Sequence, residues 1–453
     1  MTDSFWSLSR VAKALAGRGV SRWPHGDVAI ERVWTDTRTV RRGDLFVALA
    51  GERFDAHDFL AAAVSAGARA LVVRRTAEAV GLGVPVFVVD DTLVALGDLA
   101  RYRRLAWGGV VVAVAGSNGK TSTKELLRAA LGSTLTVHAT TGNLNNRVGV
   151  PLTLLAMDAD VDVGVIEVGS SIPGEIAILR EITRPDIAIV TSIAEEHLEG
   201  FGDLAGVLKE ETSVFHNVAV GIVPITDPEL AAASSPRRLV RAGLDEGEVC
   251  ATSWKIDADG AASVIVDGTF VRSTMRGVHN LRNLMLAIAA ALELGVKMPD
   301  VAAGISALVP PPMRASWQQM GRALVINDAY NSNPGSALAA IEMLTSAPGE
   351  QKVAVLGTML ELGADSDRCH EAVALAALGS PVSIIAGIGE FARALRHLAP
   401  ENERVVLAED VDDLWVVLAP RLRPDATILL KASRGAKLER ILPHISSWSD
   451  RDC

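Results

Sequence analysis

Val110-Val-Val-Ala-Val-Ala-Gly-Ser-Asn-Gly-Lys-Thr-Ser-Thr123 runs from an apolar stretch through two glycines into Lys124-Glu-Leu-Leu-Arg-Ala-Ala-Leu131, a segment of helical composition. Strand, glycine loop and helix, in that order, form a cradle for phosphate. Glycines let the backbone turn tightly and aim several N–H groups at one anion, and the helix start adds a positive dipole end. Gly116, Ser117, Asn118, Gly119, Lys120, Thr121 and Ser122 are therefore the expected nucleotide contacts, with Lys120 as a mobile charge and the Thr121 hydroxyl for a divalent cation. The common form of this loop has a glycine five positions before Gly119, where this chain has Val114. A plain strand–turn–helix shares the outline, so the reading depends on partners elsewhere in the chain.

At 453 residues the chain is too long for one core. A prior of roughly 150 residues per domain gives about three. Apolar content of 49% and charged content of 22% are ordinary for a globular protein. The net charge of −10 gives no basic surface for a nucleic-acid backbone. Cys250, Cys369 and Cys453 are scattered without a CxxC, which argues against a disulfide framework or a cysteine zinc site and suits a reducing compartment. The first residues lack the basic-then-apolar plan of a signal peptide, and no apolar run reaches the roughly 18 residues of a membrane span. A cytoplasmic protein is expected.

Residues 1–105 read as a small α/β domain. Leu45 to Leu49 is an expected strand, flanked by the polar cluster Asp36, Thr37, Arg38, Asp55, His57 and Asp58. Composition alone favours a solvated loop pair with a local ion pair there. Residues 106–312 alternate strand and helix, which implies a mainly parallel sheet with sites at strand C-termini. Within Thr140-Thr-Gly-Asn-Leu-Asn-Asn-Arg147, the amides of Asn143, Asn145 and Asn146 suit a substrate or phosphate, or else left-handed turn positions. Glu167 ends an apolar strand, where an acid needs an ion partner or a metal. His197 lies just past the strand Asp186 to Ile193, as a second metal ligand or a structural histidine. Leu204 to Phe215 is an expected helix bearing Lys209, Glu210 and Glu211. Asn280 reads as the cap of the next long helix, and Asn283, three on, is placed to read a base edge.

Val309-Pro-Pro-Pro-Met-Arg314 is a stiff linker that marks a boundary. Residues 313–453 then alternate strand and helix again, as a Rossmann-like doubly wound domain without a GxGxxG fingerprint. In it, Leu324-Val-Ile-Asn-Asp-Ala-Tyr-Asn-Ser-Asn-Pro334 runs from a strand into a polar loop, with Asn333 as a cap and Pro334 at the first helical position. The loops Gly357–Gly363 and Lys431–Gly435 also follow strands and carry charge.

Taken in order, Gly116-Ser-Asn-Gly-Lys-Thr121, Thr141-Gly-Asn-Leu-Asn-Asn146, Glu167, His197, His279-Asn-Leu-Arg-Asn283, Arg314, Asp328-Ala-Tyr-Asn-Ser-Asn-Pro334 and Lys431-Ala-Ser-Arg434 resemble the Mur ligase family, and its F type in particular. The match spans all three expected domains. It implies an ATP-dependent ligase that joins D-alanyl-D-alanine to UDP-N-acetylmuramoyl-tripeptide in peptidoglycan precursor synthesis, through an acyl phosphate. By this resemblance residues 1–105, with Asp36, Thr37 and Arg38, recognise the UDP-sugar, residues 106–312 bind ATP, and residues 313–453 take the dipeptide and close over ATP. It further implies that Thr121, Glu167 and His197 bind Mg2+, that Lys120 and Asn331 act in catalysis, and that Asn283, Arg314 and Asp328 contact the nucleotide. Asn143, Asn145, Asn146, Lys431 and Arg434 are the implied substrate contacts, and a monomer is expected.

The chain departs from the family pattern in three places. The family sets a carbamylated lysine four residues before an aromatic on the helix after the histidine. Counting back from Phe215 gives Glu211, with Lys209 two residues earlier. Glu211 as the direct replacement, or a shifted Lys209, are the two readings. Thr358 stands where the F type usually has aspartate, and Ala432 replaces a glycine. A sibling ligase, such as one of the folylpolyglutamate type, and a non-catalytic nucleotide-binding regulator share most of these motifs.

Overall fold

The computed structural model describes residues 4–15, 26–51, 53–74, 81–257 and 260–449. Cys453 lies outside them, whereas Cys250 and Cys369 are free thiols. The chain divides into two compact units: residues 1–113, 136–170 and 174–186, and residues 114–135, 171–173 and 187–453.

In the first unit, Val33–Trp34, Leu45–Val47, Ala70–Val73 and Val86–Val88 form a four-stranded parallel sheet. Leu45, Val47, Ala70 and Val72 enter one apolar cluster and Phe46, Leu71 and Val73 another, so both faces of the sheet are covered. The helix Thr92–Trp107 is capped by Asp91 and ended by a left-handed Gly108. Its buried Arg104 ties down the end of a neighbouring helix by donating to the carbonyls of Thr183 and Arg184 and pairing with Asp186 at 2.9 Å. In the same unit, Val137–Ala139 pairs in parallel with Val163–Glu167. In the second unit, Ile187–Val190, Val220–Pro224, Arg238–Gly243 and Val249–Cys250 pair successively in parallel.

The second unit carries the other large sheet. Its order is Ser316–Met320, Ala323–Asp328, Thr427–Lys431, Lys352–Leu356, Ile384–Ile388 and Val405–Ala408, with only the first pair antiparallel. The strands alternate between two cores. Ile326, Ala354 and Leu429 face the helix Pro334–Ser346 and its neighbours, while Val325, Val355, Ile428 and Leu430 face the opposite layer. Register sets Asp328 beside Lys431 at the C-terminal edge. That edge is where a doubly wound sheet presents its ligand-binding loops.

The loop after Lys352–Leu356 is held by a histidine. Met359 N–H donates to His370 Nε2 at 2.9 Å, and His370 Nδ1 meets the Ser366 carbonyl at 2.7 Å. This pair of contacts requires a neutral ring, and burial holds the imidazole below its ordinary value. The unfolded chain therefore takes up this proton first, so the contribution is present above pH ~6.5 and is lost as pH falls, at up to ~1.4 kcal/mol per pH unit. His370→Phe should cost roughly 1–3 kcal/mol at neutral pH by stranding the Met359 amide. The variant should also show a smaller fall in stability than wild type between pH ~7.5 and ~5.5 in denaturant titrations, because its proton-linked contribution is gone. An undiminished acid fall in the variant would remove His370 as its source.

Candidate active site

The phosphate loop joins the strand Val110–Ala115 to the helix Lys120–Leu131, and it turns at Gly116 and Gly119, whose φ angles are 115° and 86°. Both glycines are sterically required. A Cβ on Gly116 would lie 2.4 Å from Thr191 Oγ1, and one on Gly119 would lie 2.5 Å from Asn283 Oδ1. Val114, by contrast, sits buried within the strand, before the turn begins. The loop is laced to residues 191–194: Ser117 N–H donates to Ser192 O at 2.8 Å, Ala194 N–H to Ser117 Oγ at 2.9 Å, and Thr191 Oγ1 to Asn118 O at 2.6 Å.

Two buried carboxylates lie under this loop. Glu211 accepts the Gly116 N–H at 2.7 Å through Oε2, while its Oε1 has no hydrogen-bond partner among the described residues. Glu196 lies 3.6 Å from Lys120 Nζ, which also contacts the carbonyls of Gly116 and Ser117. Burial pushes Glu196 up to about 7, against the pull of Lys120 and helped by the charge of Glu211. Burial raises Glu211 in the same way, opposed by Lys120 and the Gly116 amide. Lys209, two residues earlier on the same helix, is exposed. Two carboxyl groups thus lie beside the one lysine of the loop, and burial drives both toward the neutral form. Hard oxygen donors in excess fit a divalent cation. No group of three His, Cys, Asp or Glu among the described residues is arranged to hold one alone. Magnesium commonly completes its shell with phosphate oxygens and water, so the donors suit a nucleotide-bound ion and not a protein cage.

The C-terminal sheet supplies the other side of the site. Arg314 Nη2 donates to Thr121 Oγ1 at 3.1 Å, and its guanidinium lies 4.0 Å from the centre of the Tyr330 ring. Arg314 is flanked by Met313 and Ala315, both left-handed at φ 58° and 51°, and the Ala315 N–H donates to Asp328 Oδ1 at 3.0 Å. The other oxygen of Asp328 takes Lys431 Nζ at 2.7 Å, and Lys431 also holds the Asn331 carbonyl at 2.7 Å. Lys431 is buried, whereas Arg434 lines a cavity. Asn118 and Asn333 exchange side-chain hydrogen bonds at 3.2 and 3.0 Å, and Asn333 caps the helix Pro334–Ser346 with a full capping box. The cap and the first-position proline agree with the sequence expectation.

One cap differs from expectation. The helix Val278–Glu293 is capped by Gly277, and Asn280 lies inside the first turn, where its Nδ2 donates to the Arg276 carbonyl at 2.9 Å. The backbone at Gly277 is at φ 87°, a conformation open to glycine, so the helix starts earlier than a side-chain cap would set. Asn283 does reach the phosphate loop, packed on Gly119.

In the first unit, Asn145 Nδ2 donates to Glu167 Oε1 at 2.9 Å, so the expected amide loop and the expected acid meet. Asn146 is used locally and accepts from the Val148 and Gly149 amides; Asn143 is exposed. Asp36 pairs with Arg38 at 2.7 Å across the turn Thr37–Thr39, as composition suggested. Sequence reasoning singled out neither Glu196 nor Glu361, which meets His197 Nδ1. The run Glu195-Glu-His197 was the available signal for the first. In the second unit, a larger cavity of about 390 Å3 is lined by Trp254, Trp317, Met343 and His279, and none of residues 116–121 borders it.

A phosphate loop over two buried acids, with an arginine bonded to its threonine, is the arrangement of a nucleotide-dependent group-transfer enzyme. Three family models match the chain: the Mur ligase family catalytic domain over residues 29–104, the Mur ligase middle domain over 114–291, and the Mur ligase glutamate ligase domain over 313–434. The chain belongs to the Mur ligase family. It is 35% identical to the UDP-N-acetylmuramoyl-tripeptide--D-alanyl-D-alanine ligase of Escherichia coli K12, over 92% of this chain and 94% of that one. The Bacillus subtilis 168 protein of the same name is also 35% identical, over 91% and 92%. Among solved structures, MurF from Acinetobacter baumannii superposes with a TM-score of 0.90 at 30% identity, covering 98% and 99% of the two chains. MurF ligase from Thermotoga maritima in complex with ADP gives 0.83 at 27% identity, covering 93% and 98%.

The Asn118–Asn333 exchange carries a direct test. Asn333→Asp keeps the helix cap but sets a carboxylate beside the phosphate loop. Nucleotide affinity should fall by about tenfold or more, the effect of ~1.4 kcal/mol, while thermal stability holds. Calorimetric titration with ADP beside a melting curve checks both; unchanged affinity would show that this pair does not bear on the loop.

Proposed function

We propose that the chain is an ATP-dependent peptide ligase that joins D-alanyl-D-alanine to UDP-N-acetylmuramoyl-tripeptide, releasing ADP and phosphate. The observation that carries this reading is the joining of the phosphate loop to the C-terminal sheet, with Thr121 on Arg314 and Asn118 on Asn333. The full-length identity to ligases of that name supports it. In this reading residues 1–105 recognise the uridine end, with Asp36, Thr37 and Arg38. Residues 106–312 bind ATP, and residues 313–453 take the dipeptide. The enzyme works as a monomer in the cytoplasm, in keeping with its scattered cysteines. Among the described residues no helix is long and apolar enough to cross a membrane.

The tripeptide carboxylate oxygen attacks the γ-phosphorus, ADP leaves, and an acyl phosphate forms. The dipeptide nitrogen then attacks the acyl carbon and loses a proton as phosphate departs. Lys120 and the loop N–H groups take the charge that develops on the transferred phosphoryl. Thr121, Glu167 and His197 would hold Mg2+, which would supply charge neutralisation for the nucleotide phosphates. Asn283 and Arg314 hold the base and ribose side, Asp328 and Asn331 close over the nucleotide, and Asn143, Asn145 and Asn146 line the tripeptide path. Glu211 supplies directly the carboxylate that the family makes by carbamylating lysine. Its burial and its bond to Gly116 favour it over the exposed Lys209.

Phosphate release with UDP-N-acetylmuramoyl-tripeptide, with and without D-alanyl-D-alanine, tests the reading: steady turnover should require both. Glutamate as the acceptor should not replace the dipeptide. Lys120→Ala should lower kcat by roughly 100- to 1,000-fold, the scale of one lost charge-stabilising donor. Glu211→Ala should lose activity that bicarbonate does not restore, while Lys209→Ala stays close to wild type. Loss confined to the Lys209 variant, with bicarbonate rescue, would reverse that assignment.

A further inference from the structure

We propose that Glu196 is a positioning residue for Lys120, holding its ammonium in place on the phosphate loop; this rests on the ligase reading above. Lys120 is the first residue of the helix Lys120–Leu131, so its backbone is fixed by the turn at Gly119. Its side chain is not fixed in that way. An ammonium on a flexible four-carbon stem keeps many rotamers, and they must be given up before the charge can act at one oxygen. Here the ammonium meets the Gly116 and Ser117 carbonyls and, at 3.6 Å, the Glu196 carboxyl, with both side chains largely buried. The two carbonyls belong to the loop itself, whereas Glu196 reaches in from the segment after the strand Ile187–Val190.

The backbone that carries Glu196 is held on both sides. Two residues before it, Ala194 N–H donates to Ser117 Oγ at 2.9 Å, and the Ala194 carbonyl accepts that hydroxyl at 3.2 Å. One residue before it, Glu195 accepts from Arg368 Nη2 at 2.7 Å, and Asp365 braces the same guanidinium at 2.9 Å. One residue after it, His197 is left-handed at φ 49°, and its ring meets Glu361, itself left-handed at φ 65°. The His197 carbonyl accepts the Gly200 and Phe201 amides at 2.9 and 3.0 Å. Leu198 and Phe201 then enter one apolar cluster with Ile326, Met359 and Leu362. Glu196 is thus gripped at each neighbour and has little freedom of its own. Left-handed backbone that the surrounding packing maintains is a mark of a functional position.

A rigidly held carboxyl is a fixed point against which a flexible lysine can be set. A carboxyl beside an anion site does nothing to hold the anion, so the use of Glu196 lies in what it does to Lys120. Ordering a charge-stabilising group in advance acts on the transition state, where the lysine works. It therefore shows in kcat more than in nucleotide affinity. An acid that merely filled space would affect both alike, and would do so whether or not the lysine were present.

The test is a double-mutant cycle in the full-length protein: wild type, Glu196→Gln, Lys120→Ala and the double variant. Each is assayed for phosphate release with UDP-N-acetylmuramoyl-tripeptide and D-alanyl-D-alanine, and titrated calorimetrically with ADP. Glu196→Gln should lower kcat by about ten- to a hundredfold, the scale of a misplaced catalytic group. Its ADP affinity should stay within about twofold of wild type or rise. In the Lys120→Ala background the same change should alter kcat by less than about twofold, because the group it positions is gone. Glu196→Asp, which keeps the carboxyl on a shorter arm, goes through the same cycle and should be equally non-additive, so the result stands even where the amide variant does not fold. Equal losses from the Glu196 change with and without Lys120 would reduce Glu196 to a structural acid and overturn the assignment. ADP affinity that falls in step with kcat would do the same, since the loop itself would then have deformed. A wild type that releases no phosphate with both substrates present would overturn the ligase reading, and this role with it.

Discussion

The bond from the Gly116 amide to the buried Glu211 carboxylate is the constraint around which the site is arranged. A phosphate loop binds anions with its N–H groups, yet here the first of those groups is given to an acid. A second acid, Glu196, is buried beside Lys120. Burying carboxylates is costly, and both are pushed upward in pKa, which marks them as poorly satisfied by the protein alone. The loop therefore depends on the positive groups beside it: Lys120 from within, and Arg314, which bonds Thr121.

That dependence explains why the C-terminal sheet is built as it is around Arg314. The linker places Arg314 between two left-handed residues, and Asp328 fixes the second of them by accepting the Ala315 N–H. Asp328 is itself held by Lys431 in the adjacent strand, a partner supplied by strand register. Burial lowers Lys431 while Asp328 raises it, so the pair is a buried ion pair whose loss of either member would strand a charge. Lys431 then extends the same control to the Asn331 carbonyl. Position therefore passes from a strand register to an arginine on the phosphate loop through two side chains, Lys431 and Asp328, and the backbone amide of Ala315.

Much of this was legible in the sequence where chemistry is local. The glycine loop, the Asn333 cap and the strand pattern each depend on neighbours a few residues away, and the structure agrees with them. Asn145 was read as a polar loop residue, and its partner proved to be Glu167, the acid that needed one. What escaped depends on tertiary burial. Asn280 looked like a cap because the residue type suits one, but the glycine before it decides the helix start. Lys431, an implied substrate contact, is set against Asp328 by strand pairing. Glu361 carries no sequence signal of its own, since its meaning comes from a left-handed backbone set opposite His197.

The departures from the family pattern follow the same logic of local compensation. Thr358 stands in place of an aspartate, and its hydroxyl accepts the Glu390 N–H at the start of the helix Glu390–Leu398. Gly389 is left with no room for a side chain there, since a Cβ would lie 2.2 Å from Thr358 Oγ1. Ala432 is fully buried, and a Cβ on Gly357 would come within 2.9 Å of its methyl, so one glycine of the facing loops has to remain. The two changes keep the Gly357–Gly363 and Lys431–Gly435 loops in contact by different atoms, through Ser433 N–H on Thr358 O and Ser433 Oγ on the Leu360 amide. Glu211 is a carboxylate fixed in the chain, and the helix Leu204–Thr212 brings it within hydrogen-bond distance of Gly116.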